Sequence, residues 1–350
     1  MYSTPYNYSA PSSTIPPTVQ PSLTPTSPAI RAWDPYADPG PVTQPIYSSP
    51  TYAQPGVVDP YAVPPNTYVS DPLGSTTTYI GEKYRETIRL LQGLRAQHTW
   101  LAGGDLQDDF DVNTLELSAA FAVPVGQIQQ PILITPRFNF HWWAGPQSAG
   151  APIPRDLPAQ AYDAFLETSW KPQFTPLFGA DLGVAVGVFS DFSYYDKNSL
   201  RVMGRGVGLI TLTQNLQFAL GVWYINRDRV KLLPAGGFIY RPNADTTYEL
   251  LFPNPRATQR LFTSGSTDVF GYLAGEYGGG QWTITHDNGL RDVVNYNDMR
   301  IVLGVETVSH NRFRANFDIG YVFNREILYR DQTPTVNPSD TVMLRVGLQY

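Results

Sequence analysis

Nine charged residues carry most of what this sequence could do chemically. Arg137, Arg300, Arg314 and Arg345 fall on the polar side of segments in which apolar and polar residues alternate, and so do Glu116, Glu167, Asp181, Glu306 and Asp318. Charges of both signs facing one enclosed space can line a water-filled constriction and order the solutes that cross it. They can equally pair with one another and fill that space with salt bridges. Both outcomes need the same scaffold, a sheet curved so that its polar faces converge.

Other candidates are weaker. The four histidines, His98, His141, His286 and His310, include no His-Glu-x-x-His and no pair at metal-ligand spacing, so neither a transition-metal site nor another cofactor is expected. His141 projects to the polar side, where Ser148 or Ser169 could approach it as in a Ser-His hydrolase. A histidine satisfied in a polar interior or loop is the plainer reading, and no enzyme activity is assigned. Asp105, Asp108, Asp109 and Asp111 cluster in one loop, without the alternate carboxylates and central glycine of an EF-hand. The runs Gly236-Gly237 and Gly278-Gly280 lack the strand-to-helix setting of a phosphate loop and read as turns.

The positioning elements are strands. In residues 178–188 the even positions are Phe178, Ala180, Leu182, Val184, Val186 and Val188, and the odd ones are small or charged. Residues 115–123, 132–142 and 313–323 repeat this two-residue period, which marks half-buried strands. Fourteen strands are expected, at about 94–101, 112–123, 131–142, 161–170, 178–190, 202–213, 216–226, 236–241, 246–252, 268–277, 281–286, 298–307, 313–323 and 341–350. Twelve would remain if 236–252 is loop. Short turns at Pro124-Gln130, Lys171-Leu177, Gln214-Asn215, Pro242-Asp245, Gly278-Gly280 and Val308-Arg312 fall on one side. Longer connections, including Pro253-Thr267, fall on the other, as in transmembrane barrels.

Alternation alone does not separate a lipid-facing barrel from a soluble sandwich. Composition helps. Charged residues are only 15% of the chain, against about 25% in ordinary globular proteins. No apolar run is long enough for a membrane helix, and mean hydropathy is −0.23. Trp100, Trp142, Trp170, Tyr224, Tyr277, Tyr321 and Tyr350 collect at strand ends, where amphipathic rings suit a membrane interface. Small and charged residues on the polar face lean toward an open lumen. The net charge of −6 argues against a nucleic-acid partner, and the lack of cysteine excludes disulfides and thiol nucleophiles.

Ahead of this lies a different composition. More than half of the 32 prolines lie in residues 1–72, with Arg31 the single basic residue there. Such a segment has too little apolar mass to offset chain entropy, so about 1–80 is expected to be disordered or polyproline-like, ahead of a barrel over 94–350. It reads as a spacer or as a segment in contact with the cell wall through residues 1–72. Residues 1–30 contain no readable export signal.

The last strand is the clearest membrane mark. Val342, Leu344, Val346, Leu348 and Tyr350 share one face, and a terminal aromatic is what outer-membrane barrels present to their assembly machinery. Residues 94–350 also resemble the DUF6268 outer-membrane beta-barrel proteins best represented in planctomycetes. The segments carrying the likeness are Ile134-Thr-Pro-Arg-Phe138, His141-Trp-Trp-Ala-Gly-Pro146, Leu157-Pro158 with Tyr162-Asp163, and Gly187-Val-Phe-Ser-Asp191. Further on come Gly204-Arg-Gly206, Lys231-Leu-Leu-Pro-Ala-Gly-Gly237, Gly275-Glu-Tyr-Gly-Gly-Gly280 and Gly320-Tyr-Val-Phe-Asn-Arg-Glu-Ile327. The resemblance implies a barrel in the bacterial outer membrane, with lipid as its surroundings, and no catalytic residues. Passive passage of small hydrophilic solutes is the leading expectation. A non-conducting barrel anchoring the Pro-rich segment to the wall is the alternative.

Overall fold

The computed structural model describes residues 90–104, 107–125, 127–146, 155–330 and 335–350. The expected disordered segment and the Pro124-Gln130 turn's centre lie outside them. The described residues form one closed antiparallel barrel of fourteen strands and no helix. In chain order these are β1 Leu91–Leu101, β2 Asp111–Val125, β3 Gln127–Ala144, β4 Gln160–Trp170, β5 Phe178–Ser190, β6 Leu200–Thr213 and β7 Leu216–Tyr224. They continue as β8 Leu232–Asn243, β9 Thr246–Phe252, β10 Arg256–Ser264, β11 Thr267–Thr285, β12 Arg291–Ser309, β13 Arg314–Tyr329 and β14 Thr341–Gln349. Each strand pairs with its neighbours in sequence, and β14 returns to β1. Leu94 and Tyr350 close the ring through reciprocal backbone bonds, each 2.9 Å.

Closure puts the apolar side outward. Val342, Leu344, Val346 and Leu348 are exposed while Met343 between them is fully buried. Leu303, Ile319, Val184 and Val202 are likewise exposed, and Leu220 on β7 is 77% exposed. Arg137, Arg201, Arg205, Glu167, Glu306 and Asp318 are buried. A soluble core has the reverse polarity, whereas a barrel wall in hydrocarbon requires this one. Short connections at 171–177, 214–215, 244–245, 265–266 and 310–313 share one rim, and those at 102–110, 145–159, 191–199 and 225–231 share the other.

The count of fourteen is as expected, but two assignments behind it are corrected. The sequence suggests a loop over 253–267; those residues hold β10, whose outward face carries Gln259 beside Ala257 and so shows no apolar alternation. Gly278-Gly280 reads as a turn separating two strands; it lies inside the single long β11. One strand missed and one split cancel, which is why both chain ends still meet on one rim.

The glycine run is instead where the barrel departs from a plain cylinder. β11 takes a positive φ at Gly279, β12 shifts register between Asn297 and Met299, and β13 takes a positive φ at Asn324. Facing register pairs place all three irregularities at one level: Gly279 opposes Asn297, and Asn297 opposes Glu326. Beyond that level the strands fold into the lumen as a lobe. Residues 292–298 are all buried on both faces, and Thr283 of β11 reaches across to pair with Ser190 of β5. Only glycine suits this bend, because a side chain at Gly279 would collide with the Tyr296 carbonyl as well as strain the backbone.

A charge placed on the outer face should therefore be costly and one on the inner face less so. Ile319→Arg, at the middle of β13, is expected to lower unfolding stability in lipid vesicles by about 2–4 kcal/mol. A denaturant titration checks it, and folded protein should also show a heat-dependent shift in gel mobility that a soluble sandwich would lack.

Candidate functional site

All nine sequence-assigned charges face the interior, and the structure groups most of them into two networks. On one wall Glu167 of β4 is 1% exposed and lies between two arginines. Arg137 of β3 approaches at 3.2 Å and Arg205 of β6 at 3.1 Å. Arg205 continues to Asp181 at 2.8 Å, and Lys171 reaches the other Asp181 oxygen at 3.1 Å. Alternation in four adjacent strands brings these groups to one height, so each carboxylate neutralises cations from its neighbours.

The second network lies on the opposite arc. Arg345 of β14 holds both oxygens of Glu276 at 2.7 and 2.8 Å and reaches Asp318 at 3.4 Å. Glu306 takes Arg256 at 2.9 Å, with Arg314 at 3.9 Å, and Arg300 grips Asp298 at 2.6 and 2.9 Å. Tyr272 donates its hydroxyl to Asp318. Glu116 stands outside both networks, accepting from Gln97 at 3.4 Å.

Several partners were missed from the sequence. Arg205 shares the parity of Arg201 and Met203 in β6, so alternation could have found it. Arg256 sits on the strand read as loop, Glu276 beside the glycines read as a turn, and Asp298 at a register shift. The inward glycines do not leave open space: a side chain at Gly183 would come within 2.9 Å of the Arg205 guanidinium. They make room for long side chains from across the strand.

Among the described residues two cavities lie in series in the interior. One of about 50 Å³ lies toward the short-turn rim between Arg256, Glu306, Arg314 and Asn316. The other, about 190 Å³, lies beneath the lobe against His141, Trp143, Asp163, Trp282 and Tyr296. Arg95, Gln97, Glu276 and Arg345 line both, so the bidentate Arg345–Glu276 pair forms the constriction between them. Above the larger cavity the long-loop end is apolar: Phe110, Ile284 and Ile327 are fully buried, and Phe110 packs edge-on to Tyr296 at 5.2 Å.

His141 has a hydroxyl partner, but a different one from those suggested by the sequence. Thr114 Oγ1 lies 3.0 Å from His141 Nδ1, and His141 Nε2 lies 3.0 Å from Asp163. Ser169 sits elsewhere on β4, opposite Leu133, and Ser148 is outside the described residues. The Thr-His-Asp order resembles an acyl-transfer relay. Its supporting groups point elsewhere: Asn139 donates to Asp163 at 3.2 Å and the Trp282 indole donates to the other Asp163 oxygen. The chain of bonds therefore ties the lobe to the wall. Asp191 adds a second tie by accepting from the Thr285 amide at 2.7 Å.

Of the acidic loop, Asp108 pairs with Arg155 at 3.2 Å and Asp111 accepts from Asn113 at 2.9 Å; Asp105 is outside the described residues. His98 stands on the outer face of β1, and His310 is in an exposed turn. Of the expected aromatic girdle, Trp142, Tyr224 and Tyr350 are exposed at or near strand ends; Tyr321 is exposed but lies at the middle of β13, opposite Val342 at the start of β14. Tyr277 is corrected: it turns inward at the bend, where its hydroxyl donates to Asn297 at 3.0 Å and Arg227 lies over its ring.

The fold and interior define a closed membrane-type β-barrel with a paired-charge lumen. Solved structures of similar fold include the KdgM porin, at 10% identity and TM-score 0.35, covering 74% of this chain and 98% of that one. LpxR from Salmonella typhimurium is similar at 10% identity and TM-score 0.36, covering 74% and 99%. A mutant of the Rh. blastica porin gives 10% and 0.28, covering 75% and 99%. No protein-family model and no curated protein matches the chain.

Glu167→Gln removes the shared partner of Arg137 and Arg205, and breaking such a buried pair costs about 3–5 kcal/mol, measurable by denaturant titration. At the lobe's tip His286 lies in the β11–β12 connection, 2.8 Å from the Asp156 carbonyl and 3.5 Å from the Asp292 carboxylate. Burial opposes its charge, but Asp292 and Asp156 outweigh that and raise its pKa. Tyr329 and Asp287 are its other titratable neighbours. A raised pKa stabilises the tip fully below the unfolded value of 6.5 and loses that contribution as pH rises through the folded value. Hydrogen exchange at residues 283–292 should accelerate across that rise, and His286→Gln should flatten the response.

Proposed function

We propose that the chain is an outer-membrane channel for small hydrophilic solutes, closed in its resting state by the in-folded lobe. The observation that carries this reading is the pair of charge-lined cavities in series, meeting at the Arg345–Glu276 pair and lying beneath the in-folded lobe. A barrel that only had to stand in the membrane would need neither cavities nor lobe. The reading also places the short-turn rim, with Tyr350, on the periplasmic side, where assembly machinery would engage it. It keeps the resemblance to DUF6268 barrels as family membership.

One observation favours the alternative, a non-conducting barrel that anchors residues 1–72 to the cell wall. Among the described residues at the long-loop end Phe110, Ile284 and Ile327 are fully buried, and apolar burial of that kind resists water.

Planar bilayers separate the two. Refolded full-length protein should show rare, small conductance steps, and complete silence under all voltages sinks the channel reading. Trp282→Phe keeps an aromatic side chain, though a smaller one, and removes the donor to Asp163, so it should raise open probability several-fold. For the anchor reading, deletion of residues 1–72 should release wall association and leave barrel assembly intact.

A further inference from the structure

Two arginines beneath the lobe differ from every paired charge described above. Arg201 at the start of β6 and Arg227 in the 225–231 connection are each 3% exposed, and both line the larger cavity. Among the described residues no ion pair joins either to a carboxylate. Arg201 donates to the carbonyls of Gln281 at 3.0 Å, Ile225 at 2.9 Å and Asn226. Arg227 donates to the carbonyls of Gly278 at 2.7 Å and Gly279 at 2.5 Å, and to the Asn297 amide oxygen at 2.9 Å. Every acceptor is neutral.

The nearby carboxylates are engaged elsewhere. Asp163 takes His141, Asn139 and Trp282. Asp228 takes Arg330 through two bonds of 2.9 and 2.7 Å. Asp298 takes Arg300. The Arg201 Nε, buried, has no hydrogen-bond partner at all. Guanidinium does not shed its proton in a protein, and a buried charge without a counter-charge is costly. A neutral amide could hold the same carbonyls without that cost.

We propose that Arg201 and Arg227 form a binding site for a small organic anion. Its carboxylate or phosphate group would supply the missing counter-charge, and its body would lie against Trp143, Trp282 and Phe189. A cavity of about 190 Å³ limits the ligand to the size of a single sugar acid. Arg201 lies 5.2 Å from the Phe189 ring centroid and Arg227 5.1 Å from that of Tyr277, so each cation is held beside an aromatic wall and oriented. The proposal names a solute class for the channel and relies on that reading only for the route of entry; the site itself stands without conduction.

The test is calorimetric titration of the detergent-solubilised full chain with gluconate, with sorbitol as its uncharged counterpart and inorganic phosphate as a third arm. Gluconate is expected to bind and sorbitol not. Phosphate binding alone would assign the site to phosphate-bearing solutes. Arg201→Gln and Arg227→Gln should each weaken anion binding about tenfold to a hundredfold, and Arg227→Lys should recover part of the loss. Equal binding of sorbitol, an unchanged response in both Gln variants, or no binding of either anion overturns the proposal. If a variant loses its heat-dependent mobility shift, wild-type protein titrated in rising sulfate decides instead: competition supports the site and its absence overturns it. Binding without conductance would sink only the channel reading, and conductance without binding would sink only this one.

Discussion

A backbone amide left unpaired in hydrocarbon costs several kcal/mol, and that cost shapes the rest of this molecule. It forces the sheet to close, here through Leu94 and Tyr350, and closure gives every strand one lipid face and one enclosed face. Strand alternation then sends Val346 out and Arg345 in, one residue apart. The charged interior is thus a consequence of the period-2 pattern meeting a closed sheet. Once inside, the charges have little water, so their positions are set by the need to find one another. The shared Glu167 between Arg137 and Arg205, and the fork of Arg345 on Glu276, are solutions to that need.

Much of this was legible in the sequence because a strand with lipid on one side writes its environment into every second residue. The nine lumen charges were found by parity alone, and all nine face inward. Failures occurred where one face no longer meets lipid or where the pattern is weak. Residues 292–298, with Val293, Val294 and Tyr296 between polar neighbours, are buried on both faces and lose the period. Three glycines look like a turn, although here they let β11 bend inward. Gln259 interrupts the outward apolar row of β10, which hid that strand and Arg256 with it. The compensating errors show that a correct strand count is weak support for correct strands.

The lobe also explains why inward glycines misled. Small residues facing a lumen leave space only if nothing crosses to fill it. At Gly183 the Arg205 guanidinium does, and deeper in the barrel the distal halves of β11, β12 and β13 do. Its underside joins Trp282, Ile284, Val294 and Tyr296 to Phe110 and Trp143 in one apolar cluster. Fully burying such side chains is worth about 1.5–3 kcal/mol each, and hydrogen bonds to charged groups about 1.5–3 kcal/mol as well. Apolar contact and the charged ties therefore both hold the lobe. The bonds to Asp163 and Asp191 fix where the lobe sits.

Release of a segment closed in this way needs something that favours the open state over the closed one. Arg201 and Arg227 hold the lobe through the carbonyls of Gln281, Gly278 and Gly279, and both residues line the cavity. A carboxylate is a stronger acceptor than a carbonyl, so an anion arriving there competes with the lobe for its attachment. Binding and closure then draw on one set of donors and are coupled, and the coupling is reciprocal: whatever weakens the lobe's hold must strengthen the anion's. On the proposed channel reading, two guanidiniums without an ion-pair partner would have a use that neutral amides could not fill. They would hold the lobe in place when the cavity is empty and loosen it when a counter-charge arrives.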